Sequence, residues 1–378
     1  MRRPDYTGNG FVNLVASLTE ARGGAPRHPP LVSLPVPEIK DATNIVFVIV
    51  DGLGDGYLQA RGGVGQLARH RRCAISAVFP STTPSAITTS FTGATPLEHG
   101  LTGWFTYFSA AACVGAPLPF QRRGEKTSLG VAPGRIFLEH SLFDALAARA
   151  IVVSYRPIID SLYNVHHCGR AARRAYDDLA GFVEQTAAAV ESGPEPKFVY
   201  AYWPEFDALS HQHGVASAQV SAHFDALDAA FGELLSRLAG TDSLLVLTAD
   251  HGFIDCPPEE SVELPPALSA LLRFPLCGER RLAFCHVREE KTFLAKARDF
   301  FGDRAEVRPS RELAEEGWFG PGRAHAHFAE RIGDVALVMK GRSTVKDWVA
   351  GELRHLHIGN HGGTSDDEMN IPLVVAKT

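Results

Sequence analysis

Threonine hydroxyls, carboxylates and imidazoles gather in a few Gly- or Pro-flanked turns of this chain. The stretch from Val78 to Gly93 carries the most suggestive of them, Pro80-Ser-Thr-Thr-Pro-Ser85. The apolar run Ala74 to Phe79 predicts a buried strand, and the hydroxyl-rich turn after it leads into a helix. Thr82 or Thr83 then falls at a helix N-terminus, where free backbone N–H groups and the helix dipole favour an anion. A hydroxyl held there can attack phosphorus once its proton is removed. That chemistry calls for metal ligands, and the chain supplies them at four further places.

Asp51 ends the run Asn44 to Val50, whose β-branched and aromatic residues suit a central parallel strand covered on both faces. The C-terminal end of such a strand is where α/β folds place ligand-binding groups. The Gly52-Leu-Gly54 fragment does not make a dinucleotide loop. Its third glycine is wrongly spaced, and Asp51 and Asp55 would oppose a pyrophosphate. Asp207 and His211 follow a second strand, Lys197 to Trp203. They are four apart, so one face of a helical turn carries both, and His213 lies on another face. Asp250 and His251 follow a third strand, Ser243 to Thr248. His361 sits in an Asn-His-Gly-Gly turn that allows close approach to a metal. Mixed His and Asp ligands suit zinc, with Mn²⁺ or Fe as substitutes. With the threonine they are too many for one tetrahedral ion and suit two ions about 4 Å apart, which hold attacking and leaving oxygens together.

The elements that position these groups read as an α/β fold with a mostly parallel sheet. Helices are expected over Ser141 to Arg149, Ala171 to Glu191 and Ala218 to Leu238, and a strand over Ile151 to Ser154. The last helix carries one apolar stripe, Val220, Phe224, Leu227, Phe231, Leu234 and Leu238, suited to packing on the sheet. Residues 109–135 read as a surface loop. Residues 1–42 read as an N-terminal arm with a short amphipathic segment, Phe11 to Leu18. A metal-dependent catalytic domain spans 43–256 and 341–378. Prolines 257, 258, 265 and 266 open an inserted α+β cap, residues 257–340. Its expected strands are Arg281 to Val287, Ala305 to Arg308 and Ala336 to Met339, with a helix over Lys291 to Phe301. His166 and His167 have no near carboxylate beyond Asp160 and read as structural; His325 and His327 read as solvated surface.

Bulk properties narrow the partners. The chain has 378 residues, 45% hydrophobic and 21% charged, which is ordinary globular composition. A net charge of −6 gives no basic field for a nucleic-acid polymer. No apolar run approaches the roughly 20 residues of a membrane span. Met1 to Gly10 shows no secretory pattern. The six cysteines form no CxxC pair, so free thiols and a cytoplasmic protein are expected.

Taken together the motifs resemble the alkaline phosphatase superfamily, and within it the type I phosphodiesterase/nucleotide pyrophosphatase family. The matching residues are Val50-Asp51-Gly52, Phe79-Pro-Ser-Thr-Thr83 nine residues before Thr92-Gly93, Pro96-Leu-Glu-His-Gly100, Glu205-Phe-Asp207 with His211, Asp250-His251-Gly252 and Asn360-His361-Gly362. They run in the family's order from about residue 44 to the end, outside the cap. The resemblance implies a three-layer α/β/α sandwich and two metal ions. One would be held by Asp207, His211 and His361, the other by Asp51, Asp250, His251 and the nucleophile. The family's nucleophile lies three residues after the Pro of Phe-Pro and nine before Thr-Gly. Both counts select Thr83, with Thr82 as the fallback. The family's phosphoryl-binding Asn is replaced by Trp104 in ungapped register. The region around Trp104 and Tyr107 is therefore expected to form an aromatic wall for the substrate. The implied activity is hydrolysis of a phosphodiester or pyrophosphate bond in a small phosphate ester, nucleotides included, through a phospho-threonine. The alternatives are a phosphomonoesterase, a phosphonate hydrolase or a phosphosugar mutase on the same fold, and behind them a catalytically silent binding protein.

Overall fold

The computed structural model describes residues 1–61, 64–125 and 127–378. Its centre is a seven-stranded sheet in the order Arg71–Ser76, Asn370–Lys377, Ser243–Thr248, Asn44–Val50, Lys197–Trp203, Arg149–Tyr155 and Ala172–Tyr176. Asn370–Lys377 runs antiparallel to both its neighbours, and the remaining pairs are parallel. Every residue of Asn44–Val50 is buried, as its unbroken apolar run requires for a strand covered on both faces.

Helices cover the two faces. Phe47 meets Phe11 of the helix Phe11–Ala21 and Tyr200, and Tyr200 meets Phe91 of the helix Thr83–Thr92. Trp203 lies an odd number of residues beyond Tyr200 and so points to the other face. It packs there on Phe182 of Leu179–Val190 and stacks on His223 of Ala218–Arg237. The apolar stripe of Ala218–Arg237 is buried at Val220, Phe224, Leu227, Phe231 and Leu234. The result is an alkaline-phosphatase-like three-layer arrangement.

The stretch expected as a cap holds a four-stranded antiparallel sheet, ordered Cys277–Gly278, Leu282–Cys285, Val335–Met339 and Ala305–Pro309. One face buries Phe293, Ala297 and Phe301 of the helix Glu290–Phe301. Near its other face, Trp318 and Phe319 close on Phe79, with ring centroids 4.9 and 5.1 Å apart. The Tyr6 hydroxyl ties this corner together. It donates to the Trp318 carbonyl at 2.9 Å and accepts from the Phe79 amide at 3.2 Å. The turn that leads into Thr83 is thus gripped from two sides.

Five local expectations are corrected. The strand expected over Ala74 to Phe79 is Arg71–Ser76, partly exposed along its first four residues, and Ala77 to Phe79 lie beyond it in the turn. Ser141 to Arg149 forms only a single 3-10 turn, Leu142–Asp144. Side chains and loops satisfy its backbone instead: Arg170 donates to the Phe143 and Leu146 carbonyls, and the Ala147 amide donates to the Arg22 carbonyl. Ala171 to Glu191 divides into an edge strand, Ala172–Tyr176, and a helix capped by Asp178, whose carboxylate accepts from the Gly181 amide at 2.7 Å. Charged Arg173 and Arg174 suit a sheet edge. Among the described residues of 109–135, two strands, Cys113–Ala116 and Gln121–Arg122, join Thr106–Phe108 in a small sheet over buried Phe120 and Leu129. His325 is buried, where its Nδ1 accepts from the His327 amide at 3.1 Å; His327 is half-buried.

Candidate active site

Parallel pairing places the ligand-bearing ends side by side. Ile49 is level with Thr248, and Val50 with Trp203, so Asp51, Asp250 and the Asp207 helix emerge at one sheet edge. Asp207 and His211 share the short helix Glu205–His213, which starts directly after its strand. His361 arrives through the antiparallel pair Ile254–Asp255 and Gly359–Asn360. Gly359 permits that approach, because a Cβ there would sit 2.3 Å from the Ser210 carbonyl oxygen. Thr83 opens the helix Thr83–Thr92, with Thr82 in the extended N-cap position.

Two clusters of donors result. Asp207 Oδ1 lies 3.4 Å from His211 Nε2 and 3.7 Å from His361 Nε2. Beside them Asp51 Oδ1 and Asp250 Oδ2 lie 3.3 and 3.4 Å from His251 Nε2. Thr83 Oγ1 is 3.2 Å from His251 Nε2 and 3.5 Å from both Asp51 oxygens. The Thr82 hydroxyl turns away and donates to Glu279 Oε1 at 2.5 Å. Asp207 can serve both candidate metal groups, Asp207/His211/His361 and Asp51/Asp207/His251.

The donor set fits cations. Each imidazole has its Nδ1 beside a backbone carbonyl: His211 beside Gly359 at 2.9 Å, His361 beside Ser81 at 3.2 Å and His251 beside Gly252 at 3.1 Å. An Nδ1–H donating to a carbonyl leaves a lone pair on Nε2. The Nε2 atoms of His211 and His361 face each other at 3.2 Å. Two opposed lone pairs repel unless a cation lies among them. Asp207 Oδ1 and Asp250 Oδ2 are buried without a hydrogen-bond partner among the described residues. Such orphaned carboxylate oxygens are costly when nothing positive faces them.

The electrostatics agree. Burial pushes the Asp51 carboxyl up to about 6. Burial, then the Asp51 charge, pushes Asp250 up to about 8. Burial and the charges of Asp51 and Asp250 hold Asp207 well above the usual carboxylate range. Burial pushes His211 down to about 3 and His361 well below its ordinary value. Positive charge among these groups would favour ionised carboxylates and neutral imidazoles, the forms that bind metal.

Three further residues had no motif to mark them. Tyr202 donates its hydroxyl to Asp51 Oδ2 from inside an apolar strand. Glu279 reaches in from the cap, where its Oε1 also accepts from the Trp104 amide at 2.6 Å. Arg280 follows it at the same cavity. Tyr202→Phe should lower metal affinity about tenfold, because partners that orient metal ligands typically contribute that much. Competition with a zinc indicator dye measures it; unchanged affinity would mean Asp51 is oriented without the tyrosine.

Two cavities, of about 460 and 450 Å³, open on this site. Thr83, Trp104 and Asp207 line both. The first runs under the cap past His211, His361, Glu279 and Arg280. The second runs over Ile87, Phe91, Leu118, Val152 and Ile158. Trp104 is 39% exposed and stands at the junction. Tyr107 stacks on Phe274 at 4.2 Å, and Phe105 lines the cap-side cavity. His167 is buried beside Phe91 and Phe137.

Fold and site together define an alkaline-phosphatase-like α/β protein with a candidate metal centre beside a threonine at a helix N-terminus. The chain belongs to the type I phosphodiesterase / nucleotide pyrophosphatase family, whose pattern matches residues 45–364. It is similar to the phosphopentomutase of Shewanella baltica strain OS155, at 31% identity over 144 residues. That match spans 38% of this chain and only 32% of the relative. Two solved structures share the fold at low identity. One is murine ectonucleotide pyrophosphatase / phosphodiesterase 5, an inactive threonine-to-alanine variant in complex with AMP. Its TM-score is 0.63 at 16% identity over 87% of each chain. The other is phosphonoacetate hydrolase from Sinorhizobium meliloti 1021 in complex with phosphonoformate. Its TM-score is 0.62 at 17% identity, over 87% of this chain and 89% of that one. Among the described residues no helix is long and apolar enough to cross a membrane.

Proposed function

We propose that this chain hydrolyses phosphodiester or pyrophosphate bonds in a small phosphate ester, nucleotides included, with Thr83 as nucleophile at a two-zinc site. The observation that carries the reading is the pair of cavities meeting at Thr83, Trp104 and Asp207. A diester has two substituents on its phosphorus, and a site flanked by two cavities houses both. A monoester needs one.

Asp207, His211 and His361 would hold one ion, and Asp51, Asp250, His251 and Thr83 the other. Such ions supply Lewis-acid stabilisation of phosphoryl oxygens and ease deprotonation of a hydroxyl. The chain's own residues do the rest. Thr83 Oγ1 forms the bond to phosphorus as the bond to the leaving oxygen breaks, giving a phospho-threonine. Water then cleaves that bond and frees Thr83. The helix N-terminus adds partial positive charge beside the phosphoryl oxygens. Trp104 separates the two substituents. The cap, residues 257–340, walls one cavity and so sets part of the substrate choice.

A second reading, phosphonate hydrolysis or phosphosugar transfer, draws on the Sinorhizobium structure and the Shewanella relatives. Elemental analysis beside hydrolysis of bis-p-nitrophenyl phosphate, p-nitrophenyl phosphate and phosphonoacetate separates the two. Two zinc ions per chain and chelator-sensitive diesterase activity are expected. Activity on the monoester or phosphonate alone would replace the first reading with the second.

A further inference from the structure

Among the described residues three lysine or arginine side chains line the cap-side cavity, and two of them are already matched. Arg123 holds Asp347 at 2.7 Å and Glu352 at 2.8 Å, and Lys346 holds Glu352 at 3.1 Å. Those four side chains neutralise one another. Arg280 stands apart. Among the described residues it makes no ion pair, and its side chain donates one hydrogen bond, to the His355 carbonyl at 2.9 Å. Its neighbour Glu279 does not pair with it, because Glu279 turns inward to Thr82 and the Trp104 amide.

A guanidinium keeps its charge at any ordinary pH and presents five N–H donors in a planar fork. Half-buried with one donor used, it is poised for an acceptor that accepts from two N–H groups side by side, a carboxylate or a phosphate. Arg280 lines the same cavity as Asp207, His211 and His361. It sits on the hairpin between Cys277–Gly278 and Leu282–Cys285, so the cap holds it over the site. The opposite cavity differs in kind: among the described residues no lysine or arginine lines it.

We propose that Arg280 binds a second anionic group of the substrate, a phosphate or carboxylate, on the substituent that enters the cap-side cavity. The proposal rests on Thr83 being the point where the scissile phosphorus sits. It deepens the substrate class: one charge-poor arm over Phe91 and Val152, and one anionic arm under the cap.

The test is binding to the zinc-loaded protein, measured by displacement of a weak competitive ligand. The probes are inorganic phosphate, pyrophosphate and phosphonoacetate. Wild type should bind pyrophosphate, phosphonoacetate or both at least about tenfold more tightly than phosphate. Arg280→Gln should remove that advantage, a loss of about ten- to a hundredfold, and leave phosphate affinity unchanged. Arg280→Lys should restore part of it, since a point charge replaces the fork. Whichever probe loses more identifies the second group as phosphate or carboxylate. Equal weakening of all three probes in Arg280→Gln, or no advantage over phosphate in wild type, overturns the proposal. Any chelation of zinc by a probe is common to both proteins and cancels in the comparison. Turnover of bis-p-nitrophenyl phosphate is followed separately. Its absence sinks the diesterase reading, while the binding ratios still decide the role of Arg280.

Discussion

Thr83→Ala is expected to lose at least about 10³-fold in kcat, the scale on which removing an enzymic nucleophile acts. The variant should still bind metal, because Asp51, Asp207, His211, Asp250, His251 and His361 remain. The prediction rests on where the two adjacent hydroxyls point. Thr83 Oγ1 lies among Asp51 and His251, whereas Thr82 Oγ1 is committed to Glu279. Thr82→Ala should therefore cost about tenfold or less, the effect of one lost hydrogen bond to a carboxylate that keeps the Trp104 amide as a donor. Thr83→Ser keeps the oxygen and should keep measurable turnover. Steady-state rates on bis-p-nitrophenyl phosphate, with elemental analysis of each variant, decide the matter. Wild-type kcat in Thr83→Ala would end the assignment. A larger loss in Thr82→Ala would move it to the neighbour.

Most of the candidate site was legible because most of its Asp and His residues follow a strand whose composition is unmistakable. Asn44 to Val50, Lys197 to Trp203 and Ser243 to Thr248 are long apolar runs, and each is followed by a turn or short helix carrying Asp or His. Parallel strands in one sheet bring their C-terminal ends to one edge, so strand ends far apart in sequence become neighbours. His361 was harder to place, since it arrives through a two-residue strand pair and a glycine that tolerates close backbone contact. Glu279, Arg280 and Tyr202 could not be read at all. A glutamate and an arginine in a cap hairpin look like any surface pair. A tyrosine in an apolar strand looks like core until its hydroxyl is seen to meet Asp51. The errors have a similar origin. The residues 141–149 favour a helix locally, but Arg170 and Arg22 satisfy that backbone from elsewhere in the fold. His325 looked solvated in its polar segment, and tertiary packing buried it.

The metal-free protein should lose stability as pH rises from about 6.5 to about 8, and the zinc-loaded protein should not. Asp250 has its folded value pushed up to about 8 from an ordinary 3.8, first by burial and then by Asp51. The folded form therefore holds that proton after the unfolded chain has released it. Stability then falls as pH rises, until the folded carboxyl also ionises. Glu279, raised by burial to about 7, acts in the same sense over the lower part of that range. The imidazoles act oppositely. His211, lowered to about 3 by burial, is neutral in the fold, while the unfolded chain charges near 6.5. Its contribution is lost as pH falls toward 3 and is complete only about one pH unit above 6.5. Between 6.5 and about 7.5 it still rises by a few tenths of a kcal/mol, less than the carboxylates lose, and above that the carboxylates set the slope. The loss for Asp250 is on the order of 1–2 kcal/mol across the window. Bound cations keep the carboxylates ionised in the fold and remove the slope. Thermal melts of chelator-stripped and zinc-loaded protein between pH 6.5 and 8 test this, with Asp250→Asn as the variant that should flatten the stripped curve. A stripped protein whose Tm is level or rising over that range would show that Asp250 is already ionised in the fold. The crowding of Asp51, Asp207 and Asp250 would then not be what makes this site demand positive charge.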